Sequence, residues 1–353
     1  MEYTQEDNSP YLLSTWKTSK LEKDNARWLV VGEDPKVKGV VVLAVGGNSI
    51  VKPTQKGEIS EQIKNIDAIC QDAILPILKQ EYKVVLVFGK APLIRNMLVQ
   101  QEIASEYVPQ MPFDVVAAGV DGQLAYLFSQ ALYNLLIEEG FVNRFKFTVT
   151  MIQMISEKEG FLNPLSFRPV APLLGEDRVR ELKKKGWLFT RREDGLGYHR
   201  LLPSIIPKYI VQCDIVEELL LKYSLVMILG SGVTFLTKED GRICRIEALV
   251  DKDIASACLA SSIGADVLLI LTNVEKVAIN YGRGNQVDLD CVDVKDLKSY
   301  INRDFFPSKS MEPKVRAAVM FVESGGKEAI ITTPSCALLA LEGRAGTRVV
   351  KGK

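Results

Sequence analysis

The chain has 353 residues, 47% of them hydrophobic and 25% charged, enough to bury one large α/β unit or two lobes. Its 44 basic residues balance 44 acidic ones, which leaves no long-range field for nucleic acid or an anionic membrane, so any anion must be held by a local site. No apolar run approaches the ~18 residues of a membrane span, the N-terminus lacks a signal pattern, and the reading is a cytoplasmic protein.

Residues 1–38 are polar and aperiodic and carry Trp16 and Trp28. They read as an N-terminal extension, either a loose tail or a segment docked on a partner subunit. From residue 39 onward, short β-branched runs alternate with helical patterns. Val40–Val45, Val84–Phe88, Phe147–Thr150, Leu225–Leu229, Val267–Thr272 and Ala329–Thr332 read as buried strands. Ser60–Gln80, Gly122–Glu139, Gln212–Lys222 and Ile254–Ile263 read as crossover helices, which predicts a mostly parallel sheet covered by helices. The stretch 156–207, rich in Pro, Gly and basic residues, breaks the alternation and reads as an inserted lid.

Several strands end in small or polar residues: Gly46-Gly47-Asn48, Gly89-Lys90, Gly230-Ser231-Gly232 and Thr272-Asn273. Ligands of open α/β sheets bind at this C-terminal edge. Gly46 and Gly47 would let backbone N–H groups approach phosphate oxygens, although a glycine pair after a strand also serves as an ordinary tight turn. Neither G-x-x-x-x-G-K-[ST] nor G-x-G-x-x-G occurs, which disfavours Walker-type and dinucleotide binding.

Lys252 lies between Asp251 and Asp253 at the start of an Ala-rich helix, a pattern that also suits a solvated helix start. Pro313 suits the first turn of a helix over Val315–Ser324, which would put Lys314 at a helix N-terminus, unfavourable for a cation unless an anion is near. Together Lys252 and Lys314 have the chemistry to stabilise a transferred phosphoryl group. The six cysteines contain no C-x-x-C pair and His199 is the sole histidine, so free buried thiols fit better than a zinc site and no protein-held metal is predicted.

The ordered series VVLAVGGNSI, DVVAAGVDGQLAY, FLNP, GYHRLLPSIIP, EALVDKDIASACLA, ILTNVEKVAINYG, SMEPKV and GRAGTRV, from about Val40 to Val350, resembles the carbamate kinase family, a branch of the amino acid kinases. The resemblance implies a three-layer α/β/α sandwich over residues 39–353 with a protruding lid. It further implies ATP/ADP with Mg2+, a small acid substrate and a homodimer. Lys252, Lys314 and Arg168 would be catalytic, with Asp253 organising the lysines. Gly46, Gly47, Asn48, Gly89 and Lys90 would hold phosphate or substrate. Gly230, Ser231, Gly232, Asn273, Val277, Tyr281 and Met311 would surround the nucleotide.

The chain departs from the family on the acceptor side. The family's H-G-N-G-P-Q-V-G becomes Phe88-Gly89-Lys90-Ala91-Pro92-Leu93-Ile94-Arg95, and its Ser-Gln-Gly becomes Val120-Asp121-Gly122. Arg168 stands for a lid lysine, and Arg is a planar fork rather than a compact ammonium. His199, where the family has Arg, reads as structural or as a substrate-side group. The expected function is reversible phosphoryl transfer between ATP/ADP and carbamate/carbamoyl phosphate or a related small acid. The alternative is a weak or inactive nucleotide-binding paralogue with a regulatory or assembly role.

Overall fold

Residues 39–45 spell GVVVLAV, and in an extended chain this alternation sends successive side chains to opposite faces. In the computed structural model, which describes residues 37–352 apart from 163, 165, 232, 233, 238, 239, 308 and 309, both faces are covered. Val41, Leu43 and Val45 enter one hydrophobic core, Val42 and Ala44 the other. Apart from its last two residues, the extension expected over 1–38 lies outside the described residues.

Eight strands form the central sheet: β1 (Gly39–Val45), β2 (Tyr82–Phe88), β3 (Phe147–Met151), β4 (Leu225–Leu229), β5 (Val267–Leu271), β6 (Cys291–Asp293), β7 (Glu328–Thr332) and β8 (Thr347–Val350). Their order is β6-β8-β7-β5-β1-β2-β4-β3. The six strands from β7 to β3 in that order run parallel, and β8 pairs antiparallel with β7. All six strands expected from the sequence are therefore present and co-directional.

The helices that matter for the site are α1 (Ile59–Ile69), α2 (Ala91–Ala104), α3 (Phe113–Glu138), α4 (Cys213–Lys222), α5 (Lys252–Ser262) and α6 (Glu312–Glu323). Residues of α1 and α3 fill the core on one face of the sheet, those of α4, α5 and α6 the core on the other, giving three layers. Phe88 at the end of β2 stacks on Phe128 of α3 with ring centroids 5.5 Å apart.

Two helices differ from expectation by more than a residue or two at one end. The run expected as one helix over Ser60–Gln80 changes to π geometry at Cys70–Ile74 before resuming at Leu75–Lys79. Pro76 explains it, because proline has no N–H and clashes with the carbonyl four residues back, which a wider turn relieves. Helix α3 starts nine residues before Gly122, since a Cβ at Gly119 or Gly122 would meet open space and neither glycine marks a close approach. Asp121 consequently sits inside a helix rather than on a loop.

Within 156–207, Ser166–Leu174 and Leu188–Arg191 flank Tyr198–Ser204 in a separate antiparallel sheet. Among the described residues no helix is long and apolar enough to cross a membrane. The six cysteines are free; only Cys70 is fully buried and Cys291 is exposed, so the expectation of buried thiols holds for part of the set.

Candidate active site

Strands β5, β1, β2 and β4 are neighbours and parallel, so the segments after them emerge side by side on one edge. Backbone here is packed too closely for side chains. A Cβ on Gly47 would stand 2.9 Å from Pro92 Cδ and 3.2 Å from the Gly89 carbonyl oxygen. One on Gly89 would stand 2.7 Å from the Gly47 nitrogen and 3.1 Å from Lys252 Cδ. Gly230 has a positive φ of +88°, and a Cβ there would lie 2.3 Å from the Ile152 carbonyl oxygen. Gly47 and Gly89 thus bring two turns and the Lys252 stem into contact, while Gly230 lets its own turn abut the segment that follows β3.

Helix α5 begins at Lys252, two residues earlier than expected. Asp251 is its N-cap, accepting the Asp253 backbone N–H at 2.9 Å. Lys252 Nζ donates to Asp253 Oδ1 at 2.5 Å, and Lys314 Nζ, from the first turn of α6, donates to Asp253 Oδ2 at 3.1 Å. The anion that offsets the misplaced cation at the start of α6 is therefore a protein carboxylate. Burial pulls the Lys252 ammonium below its ordinary value, and the charge of Lys314 adds to this against the opposing pull of Asp253. Burial pushes the Asp253 carboxyl upward, but the two ammonium groups together outweigh it and hold the carboxyl below the usual carboxylate range. Two cations are so held side by side by one buried acid, facing open space.

That space is a cavity of about 740 Å³. Of the residues singled out from the sequence, Gly46, Gly47, Asn48, Gly89, Lys90, Arg168, Ser231, Asn273, Lys252, Asp253 and Lys314 line it. Gly230 does not, but its N–H is fixed 3.0 Å from Asp121 Oδ2. Val277 is buried with its N–H bonded to Thr347 Oγ1, Tyr281 is exposed, and Met311 is half-buried against the helical layer, so these three lie outside the cavity wall. Gly232 lies outside the described residues.

On the acceptor side, Arg95, Arg168 and His199 line the same cavity. Arg168 is carried by Ser166–Leu174, a strand that packs on α2, the helix carrying Arg95. Neither guanidinium has a hydrogen-bond or ion-pair partner among the described residues, and His199 Nδ1 is buried without one. Leu98, Phe113, Val170 and Ala171 separate this side from a second cavity of about 590 Å³ lined by Trp187, Arg178, Glu102 and the bidentate Arg200–Glu247 pair.

Lys90 and Asp121, two of the departures from the family pattern, form a buried ion pair with each other. Burial lowers the lysine and raises the aspartate from their ordinary values, against the mutual attraction of the two charges. Sequence reading gave Asp121 no role. The signal lay in the charges, since two neutral amides of the family are replaced by one acid and one base.

The amino acid kinase family model matches residues 39–333. The carbamate kinase of Thermococcus kodakarensis is 37% identical over 315 residues, covering 88% of this chain and 99% of that protein. The carbamate kinase-like protein YahI of Escherichia coli is 35% identical over 320 residues, covering 89% and 100%. A carbamate kinase structure from Giardia lamblia bound to AMP-PNP superposes with a TM-score of 0.82 at 31% identity, covering 89% of this chain and 99% of that one. With the parallel sheet, the glycine turns at its edge and this similarity along the whole described domain, the chain belongs to the amino acid kinase family.

Proposed function

We propose that the protein is an ATP-dependent phosphotransferase of the carbamate kinase type, acting reversibly between ATP/ADP and carbamate/carbamoyl phosphate or a related small acid. The observation that carries this is the sharing of Asp253 by Lys252 and Lys314 at the glycine-lined edge of the cavity. An acceptor oxygen attacks the γ-phosphorus, a new P–O bond forms, and the bond to the ADP oxygen breaks. No proton need move. The two ammonium groups meet the charge spread over the equatorial oxygens, and the backbone N–H groups around Gly46 and Gly47 hold the phosphate end, with Gly89, its own N–H bonded to the Val45 carbonyl, leaving room beside them. Arg168, which lines the same cavity, would clamp the acceptor.

The likeness to a relative bound to AMP-PNP supports nucleotide use. The nucleoside would lie along 273–281, with Asn273 at the cavity and Tyr281 exposed beyond it; Val277, being buried, serves that segment by packing. Magnesium would arrive on the nucleotide phosphates, since it usually takes one or two carboxylates plus phosphate oxygens. Asp251, which lines the cavity and caps α5, is the carboxylate available to it.

A homodimer is part of the proposal. Val115, Gly119, Gly122, Tyr126, Tyr133 and Ile137 form an exposed stripe of small and apolar residues along α3, spaced to lie on one helix face. Light scattering tests it. Free thiols throughout fit the cytoplasmic placement. Nothing in the site favours the non-catalytic alternative, because the lysine–aspartate–lysine arrangement is complete.

The deciding experiment is ATP synthesis from carbamoyl phosphate or other acyl phosphates and ADP, with ADP-induced thermal shift alongside. Turnover lost in Lys252→Ala is expected. No turnover with any acyl phosphate and no shift with ADP would overturn the proposal.

A further inference from the structure

Resting on the kinase reading above, we infer that Lys90 is a third cation of the phosphoryl-transfer site and that Asp121 is the residue that positions it. Lys90 follows Gly89, whose backbone abuts both the Gly46-Gly47 turn and the stem of Lys252. It therefore stands where the transferred group must lie. Its side chain is nearly fully buried, yet it lines the cavity. An ammonium has three donors, and Asp121 Oδ2 takes one, leaving donors for a ligand oxygen.

The same carboxylate oxygen accepts the Gly230 N–H at 3.0 Å, so one acid on α3 ties the turn after β2 to the turn after β4. Beside that turn, Ser231 Oγ is buried, lines the cavity and has no partner among the described residues. Buried polar groups of native proteins are normally satisfied, so an orphaned hydroxyl beside a buried ammonium points to an oxygen-rich ligand supplied from the cavity.

Two observations favour a working pair over a purely structural one. A buried ion pair rarely adds stability over neutral groups of similar size, so the change from two amides to a lysine and an aspartate is poorly explained by folding alone. In addition, a compact ammonium has been lost elsewhere on the cavity wall, where Arg168 stands for a lysine. Lys90 supplies an ammonium from a rigid strand end instead.

The test compares Lys90→Met, Asp121→Asn and the double variant Lys90→Asn/Asp121→Gln, which restores the family's amides. ATP synthesis from ADP and the acyl phosphate that the wild type turns over best, melting temperature, and affinity for ADP with and without aluminium fluoride are measured, with Lys252→Ala as control. Lys90→Met is expected to lower kcat by about 10²–10³ with KM for ADP within about threefold, and to weaken ADP–aluminium fluoride while sparing ADP. Asp121→Asn is expected to lower kcat by about tenfold or more by loosening Lys90. The double variant should recover the melting temperature but not kcat. Full kcat in the double variant, or equal losses for ADP with and without aluminium fluoride, would show the pair to be structural and overturn the inference. A wild-type protein that binds no ADP and turns over no acyl phosphate would instead bring down the kinase reading and this inference with it.

Discussion

Lys314, in the first turn of one helix, places its ammonium 3.1 Å from the carboxylate of Asp253, in the first turn of another. The contact joins two positions far apart in the chain and turns two ordinary helix starts into one charged platform. Because the lysine has a protein anion as partner, it is already ordered before a phosphate arrives. Lys314→Ala should weaken the ADP-induced thermal shift at sub-saturating ADP while the unliganded protein still melts cooperatively. An unchanged shift would remove Lys314 from the phosphate site.

Lys252 should act on the chemical step. Its charge meets the phosphoryl group chiefly in the transition state, so Lys252→Ala is expected to lower kcat by about 10²–10³ and to change KM far less. Steady-state kinetics in the ATP-forming direction would read this. Equal activity would mean that Lys252 is only a solvated helix start.

Gly89 offers a steric test independent of charge. A methyl group there would stand 2.7 Å from backbone nitrogen and 3.1 Å from the Lys252 stem, so the Gly46-Gly47 turn must move. Gly89→Ala should therefore cost stability of about 1–3 kcal/mol by overpacking and lower turnover by more than that loss explains. Gly284→Ala is the control, because its Cβ would meet open space. Denaturant melts and rates on both variants decide whether close packing matters at this edge alone.

The shifted groups fix a pH dependence. Asp253 has a lowered folded value, so its contribution to stability is present above the ordinary carboxylate pKa and is lost as pH falls through the folded value. Lys252 is lowered too. Between its folded value and the ordinary 10.5 the unfolded chain binds more protons, so this group makes stability rise with pH in that window. Activity runs the other way there, since the ammonium discharges. The alkaline limb of kcat/KM, which reports the unliganded protein, should begin below pH 10.5 while the fold persists. Parallel loss of activity and of the folded baseline would contradict this.

Acceptor choice is the fifth readout of the same cavity. Ala91, Arg95 and Arg168 all depart from the family pattern on its acceptor side, and productive transfer requires reacting atoms about 3–3.5 Å apart. Carbamate turnover is expected to be low, with longer carboxylates, trapped as hydroxamates, turned over better. Robust activity with carbamoyl phosphate and none with longer acids would show that these substitutions are tolerated.

Much of the fold was legible because strands buried on both faces must be continuously apolar. The runs from Val40 to Thr332 satisfied that rule except Phe147–Thr150, which alternates with threonine and is a partly exposed edge strand, and the small or polar ends of the others marked the ligand edge. Lys314 was visible for a different reason, being a cation where a helix dipole disfavours one, and Lys252 as a lysine set between two acids at a helix start. What the sequence could not show was pairing at a distance. That Asp253 serves both lysines depends on α5 and α6 packing on the same face of the sheet. That Lys90 is neutralised by Asp121 depends on α3 running through Gly119 and Gly122, which local propensity marks as a break. Lys314 and Asp253 are 61 positions apart and Lys90 and Asp121 are 31 apart, and only the closed tertiary structure, by excluding water around them, decides which charge answers which.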